Sequence, residues 1–198
     1  MNVKKMISML LFFAAALSLV SCQTQLKEID LNQFINEQGL YQYSDVVWGS
    51  SPVEVRDFFG KDLGKPLDFN DGVTQYTIEG LFGYKGIPAQ VICEFFNDKL
   101  YEIRFNFSAK DAEDVDFDTI FSDIAKILIE EYGNADTESF NKIVEVFDVK
   151  LKTDSYQWKS STEEKYTSLQ LVQTIKDEVN DLIFIGVFDA SFSSIQEE

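Results

Sequence analysis

Ala89-Gln90-Val91-Ile92-Cys93-Glu94-Phe95-Phe96-Asn97-Asp98-Lys99-Leu100-Tyr101-Glu102-Ile103-Arg104-Phe105-Asn106-Phe107 decides how this chain folds. Two runs of alternating apolar and polar residues flank Asn97-Asp98-Lys99, the pattern of two half-buried strands joined by a tight turn. A two-residue loop at Asn97-Asp98 pairs Phe95 with Leu100 and sets the apolar residues of one strand opposite the polar residues of the other. A three-residue loop pairs Phe95 with Tyr101, Cys93 with Ile103 and Val91 with Phe105. Both apolar sets then share a face, and Gln90, Glu94, Glu102, Arg104 and Asn106 share the other. A slip of one residue turns every side chain to the wrong face, so the pattern selects the second register.

Outward from this hairpin, helical and strand patterns alternate. Asp30-Leu31-Asn32-Gln33 has the form of a helix start, with Leu31, Phe34 and Ile35 on one face and Gly39 as the stop. Ser51-Pro52-Val53-Glu54 is a stronger one, with Ser51 as N-cap, Pro52 at the first helical position, Glu54 closing a capping box, and Gly60 or Gly64 ending the helix. Strands follow over 73–79, 87–96 and 100–107. The order then recurs. Phe117, Ile120, Phe121, Ile124, Leu128 and Tyr132 trace a helical stripe that ends at Gly133. Strands are read over 143–151, around Tyr156 and Trp158, over 167–175 and over 182–190, the last two joined around Glu178 to Asp181. Gly60 answers Gly133, and Asp98 answers Asp181. The expected class is α+β, with two α-β-β-β repeats, residues 29–110 and 111–190, an antiparallel sheet, and both helices packed on one of its faces. Residues 191–198 read as a frayed tail. Apolar residues on both faces of 182–188 mark a central strand covered twice, or one that lines a partner-binding face.

Composition narrows function by exclusion. The 198 residues hold 17 Lys+Arg against 34 Asp+Glu, a formal net charge of −17, with no His and two Cys. Such a balance disfavours nucleic acid, whose phosphates call for clustered cations. Without His, a Ser–His–Asp triad and His-ligated zinc are excluded. With 45% hydrophobic residues and 18 Phe, a packed core is within reach.

The first residues are an address. Lys4 and Lys5 precede an apolar run of Met6 to Val20 that is shorter than the ~20 residues a spanning helix needs, and small residues follow. Residues 1–21 read as a signal peptide. Leu19-Val20-Ser21-Cys22 resembles the bacterial lipobox, which implies acylation at Cys22, including a palmitate-type chain, and cleavage before it. Several acyl chains hold a protein to a bilayer where one does so only marginally. Residues 22–28 would be the lipidated tether, and Gln23 after the cysteine favours the outer over the inner membrane.

Trp48-Gly49-Ser50-Ser51-Pro52-Val53-Glu54-Val55, leading to Gly64-Lys65-Pro66, and Phe95-Phe96-Asn97-Asp98-Lys99-Leu100 are similar to motifs of bacterial lipoproteins with helix–strand repeats. That group includes the β-lactamase inhibitor protein-like fold and the accessory lipoprotein of outer-membrane β-barrel assembly. The second half departs from the pattern, with Gly133-Asn134-Ala135 in place of Gly-x-Pro. The resemblance implies a non-catalytic, protein-binding role.

Among candidate sites, Asp111, Glu113, Asp114, Asp116 and Asp118 lack the Gly of a calcium loop and read as acids at a helix N-terminus. Gly80, Gly83 and Gly86 lack the ending of a phosphate loop and read instead as a surface loop presenting Phe82 and Tyr84 to a partner; the competing reading folds both into the core. The polar sheet face offers Gln90, Ile92 and Arg104. Trp48, Tyr156 and Trp158 read as core, and Cys93 as a buried free thiol. No cofactor or metal is expected. The function expected is that of a membrane-anchored envelope lipoprotein acting as a protein-binding or structural module on an envelope protein. The alternative is a carboxylate-dependent hydrolase of envelope glycans, and a concave pocket with two convergent carboxylates would favour it.

Overall fold

The computed structural model describes residues 26–69, 72–112, 115–146, 149–175 and 181–191. The leader, Cys22, Glu113-Asp114, residues 176–180 and residues 192–198 lie outside the described residues. Nine strands form one mixed, mostly antiparallel sheet: β1 (Lys27–Glu28), β2 (Leu67–Asp68), β3 (Val73–Tyr84), β4 (Ile87–Phe96), β5 (Lys99–Ser108), β6 (Thr137–Val146), β7 (Val149–Ser161), β8 (Tyr166–Ile175) and β9 (Leu182–Asp189). Helix α1 spans Pro52–Phe59 and α2 spans Phe117–Tyr132. Across the sheet the order is β1-β3-β4-β5-β9-β8-β7-β6, with β2 also on β3.

Both helices cover the same sheet face. On α1, Val55 and Phe59 are buried, and the Phe59 ring meets Phe82 of β3 at 5.8 Å. On α2 the expected stripe is buried from Phe117 to Leu128, and Phe121 meets Tyr156 of β7. The strand residues beneath form one continuous apolar set that includes Val91, Phe105, Leu171 and Ile185, each wholly buried. Trp158 and Trp48 are buried as expected, and their indoles donate to the carbonyls of Gly133 and Tyr41. Cys93 is a buried free thiol, and burial raises its pKa. Ser51 and Glu54 close the capping box at α1, with Pro52 in the first turn and Gly60 as a left-handed cap. At α2, Asp116 accepts from the Asp118 amide and the Thr119 hydroxyl, so this part of the acidic run works as a helix start.

Four expectations are corrected, the last of them at the deciding hairpin. Residues 30–39 form turns rather than a helix. The Asp30 carboxylate takes the Asn32 amide, and Asn36 Oδ1 takes the amides of Gln38 and Leu40. Short polar side chains here offer the backbone local partners that compete with helix bonds. Leu31 and Phe34 are buried nonetheless, because the segment wedges between the helices: Tyr132 Oη donates to the Leu31 carbonyl and accepts from the Phe34 amide, and Phe34 meets Phe105 edge-on. Second, the strand read at 143–151 is two arms of a hairpin, with Glu145 opposite Lys150. Third, Lys27 and Glu28, placed in the tether by sequence, pair in parallel with Phe82 and Gly83.

The deciding hairpin combines the two registers weighed for it. Asn97 and Asp98 both have positive φ, 48° and 61°, as a two-residue mirror-image turn requires, and Phe95 faces Leu100. Phe95 opposite Tyr101 is therefore wrong. One step on, Tyr101 and Glu102 together oppose Glu94, and the bulge restores Cys93 to Ile103 and Val91 to Phe105. The turn obeys strand twist, the bulge obeys burial, and both apolar sets end on the inner face.

Candidate functional site

The glycine-rich segment is not a surface loop. Strand β3 continues through Gly80 with a bulge between Ile78 and Phe82, and the turn is Lys85-Gly86. Phe82 is 2% exposed and Tyr84 5%, and Phe82 packs edge-on against Tyr43 and Phe105. Their side chains belong to the core, which overturns their reading as exposed partner-binding anchors.

The sheet face opposite the helices holds the remaining candidates. Gln90 is exposed there and donates to Glu79 Oε1. Ile92, between Thr77 and Arg104, is 6% exposed, so it floors the face rather than standing out from it. Arg104 is the hub. Its Nη2 donates to Glu94 Oε1 at 3.0 Å, and its Nε stands 2.8 Å from Glu102 Oε1, out of line for a hydrogen bond. The guanidinium lies over the Phe184 ring at 5.6 Å. Gly186 makes room for this arrangement: a Cβ there would come within 2.9 Å of the Phe188 ring and 3.2 Å of Arg104 Cγ.

Glu94 and Glu102 oppose each other on β4 and β5. Tyr101, turned outward by the bulge, donates its hydroxyl to Glu94 Oε2 at 2.6 Å. Burial is the main cause that lifts the Glu102 pKa well above the ordinary carboxylate range. The Arg104 charge opposes it, and the Glu94 charge and a shared hydrogen bond add to it. Burial and the bond to Glu94 likewise raise Tyr101.

Beside this cluster lies a groove of about 250 Å³, lined by Val73, Phe96, Tyr101, Tyr166, Gln170 and Phe188 among others. Six neighbouring strands, from β3 to β7, contribute to it, so this end of the open face is concave. Larger shallow hollows, of about 630 and 570 Å³, lie over the 32–48 segment and between α2 and β6–β8.

The sequence pattern places Gln90, Glu94, Glu102 and Arg104 on one face, and the structure brings the last three together. It missed Tyr101, whose outward position depends on the bulge, and Gly186, whose small size between Phe184 and Phe188 was a usable signal. No helix among the described residues is long and apolar enough to cross a membrane. The chain matches no protein-family model, no curated protein and no solved structure.

Proposed function

We propose that the chain is an envelope lipoprotein, held to the outer rather than the inner membrane through acylated Cys22, that binds another envelope protein through the open face of its sheet. The observation that carries this reading is the concave, aromatic-lined end of that face, which no helix covers among the described residues. Aromatic residues around a desolvated centre are the usual anchors of protein interfaces. The hydrolase alternative is disfavoured by the state of its carboxylates. Glu94 and Glu102 are both engaged by Arg104, and Glu102 is 6% exposed, whereas glycosidic acid–base pairs stand apart with substrate between them.

The same reading includes two repeats. Moving Val91 and Phe105 forward by 80 residues gives Leu171 and Ile185, and both pairs are opposed in their hairpins. Phe105 and Ile185 also face each other where the halves join, as a local two-fold would require. Each helix is followed by four strands, the first of them only two residues long in the first half. The similarity to helix–strand repeat lipoproteins stands on these features and on the lipobox.

A photo-crosslinking residue at Gln170 of the full chain in cells tests the docking face, with one at Lys126 on α2 as the control. Capture from Gln170 alone supports the reading, and equal or no capture overturns it. Cys22→Ser should lose detergent-phase partitioning; retained partitioning would refute the anchor.

A further inference from the structure

If Cys22 is acylated, as proposed above, covalent geometry limits how far the folded body stands from the bilayer. Three residues, 23–25, separate Cys22 from Leu26, the first described residue. Four Cα steps reach at most about 14 Å, so Leu26 stays within that distance of the lipidated residue. Leu26 leads into β1, which pairs with Phe82 and Gly83 on the edge of β3 that β4 leaves open. The 61–69 segment runs along the same edge. Lys61 Nζ donates to the Glu79 carbonyl, the Gly64 amide donates to the Thr77 carbonyl, and β2 sets Leu67 opposite Gln75. The chain therefore leaves the fold toward its anchor between β1 and Lys61, with β2 farther along the edge.

The side chains on this edge suit a lipid surface. Leu67 is 57% exposed and Phe69 52%, and Phe58 at the end of α1 is exposed as well. Charge differs from the rest of the molecule. Residues 26–28 and 56–69 carry four cations and four acids, whereas the whole chain carries two acids for each cation, 34 against 17. Anionic headgroups repel the acidic body and leave this balanced edge as the part that can approach them. Large apolar side chains flanked by lysines are what an interfacial surface offers, the rings and branched chains among the acyl boundary and the ammonium groups at the headgroups. We propose that the β3 edge rests on the bilayer, with Leu67 and Phe69 dipping into its interface and Lys61 and Lys65 at headgroup level. The sheet then stands edge-on, and its open face looks along the membrane, toward a partner held in the same bilayer.

The test places the full chain, processed and acylated in a bacterial host, in vesicles of phosphatidylethanolamine and phosphatidylglycerol with a nitroxide on some of the headgroups. A fluorophore is attached in turn to Leu67→Cys, to Phe69→Cys and, as an exposed apolar control on the opposite edge, to Ile143→Cys. All three positions are exposed, so the substitutions leave the fold intact. The label goes to one site, because Cys93 is buried and Cys22 is acylated. Six strand spacings of ~4.8 Å put β6 about 29 Å beyond β3. An interfacial side chain lies within about 10 Å of the headgroups, so emission should fall by about twofold or more at 67 and 69 and stay unchanged at 143. Equal quenching at all three positions, or none at 67 and 69, overturns the proposal, whether those residues then face water or are covered by a second copy. Flotation separates this result from the reading beneath it. A chain that floats with the vesicles without quenching at 67 and 69 keeps its anchor and loses this edge. A chain that does not float loses the anchor, and the proposal with it.

Discussion

Phe82→Ala should unfold this protein far below its normal midpoint, although sequence alone leaves Phe82 between a surface loop and the core. The ring is 2% exposed and sits 5.6–6.0 Å from the rings of Phe59, Phe105 and Tyr43, so its removal leaves a cavity at the contact of α1, the 29–48 segment and β3–β5. Phe→Ala at such a site costs ~3–5 kcal/mol. For a domain of this size each kcal/mol lowers the midpoint by ~2–4 °C, so a fall of roughly 6–20 °C is expected in thermal unfolding followed by circular dichroism. Phe82→Leu keeps most of the volume and should cost about 1 kcal/mol. Leu67→Ala, at a residue 57% exposed, should stay within about 0.5 kcal/mol and serves as control. A Phe82→Ala midpoint within about 2 °C of the parent would refute the placement of β3 and with it the packing of α1.

Three further outcomes follow from the open face and the core. Native Glu102 holds its proton at pH values where the unfolded chain has released it, so this group's contribution to stability falls as pH rises from about 4.5 through neutrality. Urea unfolding at pH 5 and pH 9 should therefore show Glu102→Gln gaining on the parent at the higher pH, and a difference independent of pH would contradict the buried placement. Gly186→Ala should lose roughly 1–3 kcal/mol, because its Cβ would press on Phe188 and Arg104; an unchanged midpoint would mean that the outer face repacks freely. Cys93 should resist thiol reagents in the native chain and label fully in denaturant, as read by peptide mass mapping; rapid native labelling would show that β4 opens.

The strongly periodic parts of the fold were legible. The α2 stripe, the capping box at Ser51 and the inward sets of β4 and β5 depend on burial and local bonds that a sequence displays. What stayed hidden was set by contacts distant in sequence. Leu31 and Phe34 have helical spacing, yet their backbone is held by Tyr132 from α2. Gly80 and Gly83 suggested a loop, but β3 absorbs Gly80 in a bulge and continues to Tyr84. No Gly, Pro or Asn marks the reversal between β6 and β7, so the pattern there looks like one strand. At the candidate site, the shared face of Glu94, Glu102 and Arg104 followed from strand alternation. The outward turn of Tyr101 did not, because it arises from a compromise between turn geometry and burial.

The seam between β5 and β9 has a consequence for how the protein comes to be made. The chain's final described strand is inserted in the middle of the sheet, between β5 and β8. Until it emerges, β5 ends the first half with a bare row of amides and carbonyls, beside Ile103, Phe105 and Phe107, which are wholly buried in the finished fold. Pairings of such long sequence separation form slowly, and an unpaired edge of this kind invites association with other chains while it waits. A nascent or truncated chain that stops before Leu182 should thus be the aggregation-prone species. Folding of such a chain in the cell would then depend on something that shields β5 until synthesis is complete.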